Sequence, residues 1–275
     1  GVGKGLIWGP AEHDTARFET NWFSISGWTW RGFVQLHRFL SDTAAISEPA
    51  LAAQLAAESA SFKADLDAAR DASLVRDPSG KPFFMPPFAS TNFTPYPSMT
   101  QNGGQVEAFG GGASYSNFRY FSEMLSAQFM GDDIDAALNS FRESHGGTLS
   151  GMTRFRDHLD DMPANGYAFS AIATDRVPSY LSLLFGHLAN YQSRGTFNAP
   201  EQLGLYGDGG SNAVKTYSDS YRQMLGAGSM EVDINMCVPS TMLGAHMLRW
   251  MLVFEQLDSD TLWLLKAAPR RLYPN

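Results

Sequence analysis

"WTWRGFVQLHRFLSDTAAISEPALAAQLAAESASFKADLDAARDASL" runs from Trp28 to Leu74, and its two halves ask for different surroundings. Trp28 to Ser41 is apolar nearly all round, through Trp28, Trp30, Phe33, Val34, Leu36, Phe39 and Leu40, which is the composition of a helix covered on every side. Ser47 to Leu74 instead carries one stripe, Leu51, Leu55, Phe62, Leu66 and Ala69, among Glu, Asp, Lys and Arg, so this helix has one wet face. Ser47 is placed to cap it and Pro49 falls in its first turn. An inner helix followed by an outer one reads as a helical hairpin.

The alternation repeats along the chain. Tyr115 to Phe129 is aromatic on most sides, and Asp132 to Ser144 is one-sided, with Ile134, Ala137, Leu138 and Phe141. Arg176 to Ser193 reads as inner with Thr216 to Leu225 as a short outer partner; Pro239 to Gln256 is inner, and Asp260 to Ala267 is short and stopped by Pro269. No strand ladder stands out, so the expected class is all-α with some loop hairpins. The long connections, Trp8 to Gly27, Val75 to Ser114, His145 to Asp175 and Arg194 to Val238, all precede inner helices. In a ring of hairpins the inner helices run parallel, which would gather these loops, and the partly positive helix N-termini, at one mouth.

Bulk composition narrows the function. A chain of 275 residues with 44% hydrophobic and 17% charged content is expected to fold as a single domain over 1–275. A formal charge of -8 and the absence of any basic run argue against nucleic-acid binding, which depends on Lys and Arg meeting phosphates. The single cysteine, Cys237, excludes an internal disulfide framework and a four-thiolate zinc site. The longest apolar run, Val238 to Phe254, is interrupted by His246 and Arg249 and is shorter than the roughly 20 residues that span a bilayer, so no membrane insertion is expected. The opening "GVGKG" lacks both a preceding strand and a following Ser or Thr, which sets a phosphate loop aside.

Two segments carry a family likeness. "GLIWGPAEHDT" from Gly5 with "NWFSISGWTWRGFVQL" from Asn21 resembles the loop and inner helix entering a middle hairpin of the six-hairpin glycosidases, in their bacterial rhamnosidase-like and uronidase-like branches. "MLRWMLVFEQLDSDTLWLLKAAPRRLYPN" from Met247 resembles their last hairpin, where the toroid closes. The resemblance implies an α/α toroid, glycoside hydrolysis of an oligo- or polysaccharide without a cofactor, and, by analogy, a periplasmic or secreted setting. About four hairpins are counted where the family has six. The chain is therefore expected to be incomplete at its N-terminus, with an upstream segment or a homo-oligomer covering the open ring.

Glycoside hydrolysis needs two carboxyl groups, one protonated and one ionised, across the scissile bond. The first loop offers Glu12, Asp14 and Glu19, the third Asp157, Asp160 and Asp161, and the last Glu201, Asp208, Glu231 and Asp233. Glu12 and Glu201 are the leading acid/base pair, roles unassigned, and Asp14 is the third catalytic candidate because clustered carboxylates raise one another's pKa. The plainer readings are a loop ion pair of Glu12 with Arg17, a helix-start acid at Glu201 after Pro200, and a capping job through Asn235 or Ser240 for the segment holding Asp233.

Sugar contacts are expected from flat amphipathic rings and polar loop groups: Trp8, Arg17, Trp22, Trp28, Asp160, Asp161, Tyr167, Asn198, Tyr206 and Asp233. Core packing is the competing job for each tryptophan. The "FFMPPFASTNFTPYPS" stretch from Phe83, with Phe93 and Tyr96, reads as a rigid rim, and Arg17, Arg154 and Arg156 suit an anionic sugar such as a uronate. No metal is expected, because no zinc pattern occurs; calcium at Asp160 and Asp161 is the minor alternative. His37, His187 and His246 lie in inner helices and read as core histidines. Gly-x-Ser-x-Gly is absent and Cys237 has no base partner, so acyl transfer has little support. Two rivals remain: a polysaccharide lyase using Tyr167 with His158 and Asn165, and a non-catalytic sugar-binding or interaction domain.

Overall fold

Helices dominate the computed structural model, which describes residues 1–10, 19–42, 48–91, 113–145, 147–155, 158–159, 161–192, 197–200, 203–204, 237–257 and 259–269; the strands form only small antiparallel sheets. The chain divides into two compact units, one of Gly1–Pro97 with Gln105–Phe141, the other of Ser98–Gly104 with Arg142–Asn275.

In the first unit a hairpin of β1 (Trp8–Pro10) and β2 (Glu19–Asn21) leads directly into α1 (Phe23–Asp42). α2 (Pro49–Ser73) returns antiparallel to α1, with His37 Nδ1 3.0 Å from the Ala52 carbonyl and Phe33 packed on Phe62. Pro49 opens α2 as expected, but the cap position is Glu48 and makes no side-chain cap bond; Ser47 lies outside the described residues. α1 is not covered on every side. It begins at Phe23 rather than Trp28 and buries Phe23, Ser24, Ser26, Gly27 and Arg31, while Leu36 and Phe39 are exposed. The buried face is chosen by small size rather than hydrophobicity: a Cβ on Gly27 would lie 2.6 Å from the Phe129 ring.

That close approach admits α3 (Ala113–Ala127), which runs parallel to α1: Trp22 meets Tyr120 at one end, and Arg31 donates to the Ala127 and Gln128 carbonyls at the other. Arg31 thus satisfies carbonyls that the end of α3 leaves unpaired. Between α2 and α3, β3 (Val75–Arg76) and β4 (Pro82–Phe84) form a hairpin. The stretch Phe84 to Phe88 that follows is buried, with Phe23 N–H donating to Pro87 O and Phe84 packed against Phe121 and Phe141, so this part of the expected rim is core. Phe93 and Tyr96 lie outside the described residues. α4 (Asp132–Ser144) has the expected bounds, after a glycine at φ +100° and with Asp132, Asp133 and Asp135 in its first turn. Besides the expected Ile134, Leu138 and Phe141, it buries Asp135, Asn139 and Arg142.

The second unit starts with a four-stranded antiparallel sheet, β5 (Thr148–Leu149), β6 (Met152–Phe155), β7 (His158–Leu159) and β8 (Leu203–Gly204), in that order. Ser150 and Gly151, at φ +52° and +82°, make the two-residue β5–β6 turn that matches strand twist. α5 (Ala164–Ala173) follows, in a stretch expected to be loop, and α6 (Val177–Gly186) continues as a π-helical turn over His187–Tyr191. The covering expected of an inner helix over Arg176 to Ser193 is found instead on α5. α5 is buried on nearly every side, whereas α6 leaves Ser182 and Phe185 exposed.

α7 (Val238–Leu252) settles the directions. Asn165 lies beside Met242 and Phe169 beside Trp250 and Phe254, so α5 and α7 run parallel. Tyr180 OH donates to Met247 O while Gln192 donates to Thr241 O, so α6 runs antiparallel to α7, not parallel as a second inner helix would. α7 also ends at Leu252 rather than Gln256. The chain then forms β9 (Val253–Glu255) and β10 (Leu262–Leu264) where a short helix over Asp260 to Ala267 was expected. Lys266 beyond them reaches Asp175 and the Ala173 carbonyl, at the negative end of α5. The expected outer helix Thr216 to Leu225 lies outside the described residues. Among the described residues no helix is long and apolar enough to cross a membrane.

Candidate functional site

In the second unit a cleft of about 230 Å³ opens at the N-terminal ends of α5 and α7, lined by Met162, Asn165, Pro239, Met242, Leu243 and His246. α7 brings its first-turn amides there, with Pro239 in the opening turn where a missing N–H costs nothing. Its cap position is Cys237, which makes no side-chain cap bond; Ser240 is buried with its hydroxyl unpartnered among the described residues, and Asn235 lies outside them. Ala199 ties the preceding chain to the same place, accepting from Cys237 N–H and donating to Thr241 Oγ1, which sets the exposed Asn198 next to the start of α7.

His246 is a surface group of this cleft rather than a core histidine, with its ring centroid 4.1 Å from that of Trp250. Burial against its neighbours lowers its pKa, the Arg249 guanidinium lowers it further, and Glu255 opposes them. At pH 7 the imidazole is therefore neutral and offers one donor and one acceptor. Unfolded chain binds the proton more tightly, so stability from this group is present above pH 6.5 and lost as pH falls toward the lowered folded value. The His246 ring in an NMR titration should show a midpoint below 6.5, and Arg249→Gln should move it upward; a midpoint at or above 6.5 in the unsubstituted protein contradicts this.

Next to the cleft, Asp161 precedes Met162 and is fully buried. Its Oδ2 lies 2.6 Å from His187 Nδ1, and its Oδ1 accepts from Thr153 N–H at 3.0 Å. Thr153 Oγ1 accepts from Arg142 Nη2, and the Arg142 guanidinium stands 3.9 Å over the Tyr167 ring. Tyr191 OH accepts from Asp161 N–H and donates to Leu159 O, closing the network. Burial pulls the Arg142 pKa down, against Tyr167 and Asp161; burial also raises that of the Tyr167 phenol. His187 Nε2 and Arg142 Nε have no partner among the described residues.

The catalytic candidates Glu12, Asp14 and Glu201, with Arg17, Asp160, Tyr206 and Asp233, fall outside the described residues, as do Arg156, Asp157, Asp208 and Glu231. Of the others, Trp8 is 64% exposed on β1 and Trp28 46% exposed on α1, so both keep a free ring surface. Trp22 does not: it is 2% exposed, packed between Phe88 and Tyr120, and its ring has no face left for a sugar. Asp161 and Tyr167 are held in the buried network behind the cleft, not on its surface. Asn165 lines the cleft, and Asn198 is exposed next to Ala199, which bonds to the start of α7. Sequence reasoning missed His187 and Arg142 as partners of Asp161, for which no spacing signal exists, and it missed His246 as a cleft group.

Among the described residues no group of three or more His, Cys, Asp or Glu could hold a metal ion, and both Asp161 oxygens are already committed. The observations define a mostly helical protein with a helix-terminus cleft backed by a buried Asp–His–Arg network. No protein-family model, curated protein or solved structure matches the chain.

Proposed function

We propose that the protein is a glycoside hydrolase on an α/α-toroid scaffold, using Glu12 and Glu201 as its acid/base pair. The observation that carries this reading is the repeated helix arrangement. In one unit α1 and α3 run parallel with α2 antiparallel to α1; in the other α5 and α7 run parallel with α6 antiparallel to α7. Such repetition is what a ring of hairpins requires of its inner and outer helices. The chain on either side of each proposed carboxylate also fits. β1 and β2 flank Glu12 and lead into α1, while Ala199 bonds to the start of α7 and Leu203, two residues past Glu201, pairs with Leu159. Exposed Trp8 and Trp28 supply flat rings for sugar faces.

Glu12→Gln and Glu201→Gln should each abolish most of the release of reducing ends from a panel of neutral and uronate-containing oligosaccharides, with folding unchanged by circular dichroism. Full activity in both variants would remove the pairing. The lyase alternative is weakened by Tyr167, because a phenol fully buried under a guanidinium, with its pKa raised by burial, is out of reach of a substrate and a costly base. Lyase action would show as near-ultraviolet absorbance in the same digests.

A further inference from the structure

Three of the six residues lining the cleft carry donor atoms of one chemical kind: the thioethers of Met162 and Met242 and the imidazole of His246. Met242 and His246 stand four residues apart on α7, so they are neighbours on one helix face. Met162 reaches the same cleft from the chain entering α5. Its backbone is set from behind, because Asp161 is fixed in the buried network and the Met162 carbonyl accepts from Asn165 N–H at 3.4 Å. Core packing does not account for the pair on α7: Met242 is 57% exposed, and His246 is exposed as well. The His246 ring rests on Trp250, tilted by 35°, which limits how it can turn. Thioethers stand outside the His, Cys, Asp and Glu groupings that are absent among the described residues.

We propose that the cleft binds a soft monovalent metal ion, Cu(I) or its redox-inert analogue Ag(I), through the sulfurs of Met162 and Met242 and a ring nitrogen of His246. Thioether sulfur is a poor ligand for hard cations and selects Cu(I), and imidazole is compatible with the same ion. Other metals fail on the lining. No Asp, Glu or Cys lines the cleft among the described residues, so calcium and magnesium lack their oxygens and zinc finds a single ligand of the kind it takes. The imidazole is open to a metal because burial holds its pKa below the ordinary histidine value, which leaves it neutral near pH 7. Charge selects a monovalent ion. The starts of α5 and α7 are partly positive and Arg249 adds to them, against only Glu255 near His246, which disfavours a second positive charge. Pro239 and Leu243 complete the lining with apolar groups that offer no competing ligand. The site uses neither Glu12 nor Glu201 and is independent of the glycosidase reading.

The test uses Cys237→Ser protein, which removes a competing thiol from a cap position that makes no side-chain bond. Silver nitrate titrated into it in chloride-free buffer should show a single saturable equivalent by calorimetry. In NMR spectra of the same titration the methyls of Met162 and Met242 and the ring of His246 should shift together, ahead of the chain's other methionines. Cu(I) kept reduced should displace Ag(I), and Zn(II) should not. Met162→Leu and Met242→Leu, which keep volume and apolar character, should each weaken Ag(I) binding by about tenfold or more. Absence of saturable binding overturns the proposal. So does a titration that shifts other methionines first, displacement by Zn(II), or Leu variants that bind as tightly as their parent; the NMR mapping stands even if a variant fails to fold.

Discussion

Replacing Asp161 with alanine lowers the stability of the protein by about 3–5 kcal/mol, read as a shift of the urea midpoint at constant slope. The residue is fully buried and holds three groups at once: the His187 ring, the Thr153 amide and, through space, the Arg142 guanidinium. Without the carboxylate, Arg142 keeps, among the described residues, the Thr153 hydroxyl, the Tyr167 ring face and the more distant Glu143 charge against its desolvation cost, and the Thr153 N–H loses its acceptor. Asp161→Asn should lie between the two proteins, because an amide oxygen can still accept from Thr153 while the negative charge is gone. A loss below about 1 kcal/mol in the alanine variant would mean that the network contributes little and that Arg142 finds its compensation elsewhere.

Gly151→Ala is expected to cost about 2–5 kcal/mol, from a left-handed backbone and a clash that nothing can relieve. Gly151 has φ +82°, and a Cβ there would lie 2.0 Å from the Ser182 carbonyl oxygen on α6. Gly186 makes the reciprocal approach, with its Cβ position 2.4 Å from Ser150 O. The β5–β6 turn thus sits directly on α6 backbone, and only glycine fits on either side. Gly80→Ala is the control. Its φ is +87° but nothing lies within 4 Å, so it isolates the conformational cost of about 1 kcal/mol. If Gly151→Ala and Gly80→Ala destabilise equally in thermal or urea unfolding, the close contact between turn and helix is not what holds that region.

Legibility followed local signals. α4 could be read with its ends because three aspartates crowd its first turn and a glycine precedes it, both effects that act within one turn. α2 showed through its stripe and Pro49. α5 did not: "ANGYAFSAIA" is small and apolar with an Asn-Gly pair, and a helix buried on nearly every side has no polar face to give it a period. The Ser150-Gly151 turn went unread inside the connection His145 to Asp175, because only strand pairing makes that dipeptide a hairpin. Leu262 to Leu265 was misread as helix because a short apolar run has no decisive period.

The candidate site divides in the same way. Asp161 could be singled out as an acid in a loop, but its partners lie on three other elements: Arg142 on α4, Thr153 on β6 and His187 in the π-helical turn. Nothing local to any of them announces the others. By itself the sequence determined that the chain is mostly helical, that one-sided helices start at Pro49 and Asp132, and that acidic residues crowd the first turn of α4. Only the tertiary structure decided which helices are buried, which way α6 runs against α7, that Trp22 belongs to the core, and that His246 lines a cleft. The physical reason is range: capping, periodicity and charge act over one or two helical turns, whereas helix direction and the pairing of buried charges are set by long-range packing.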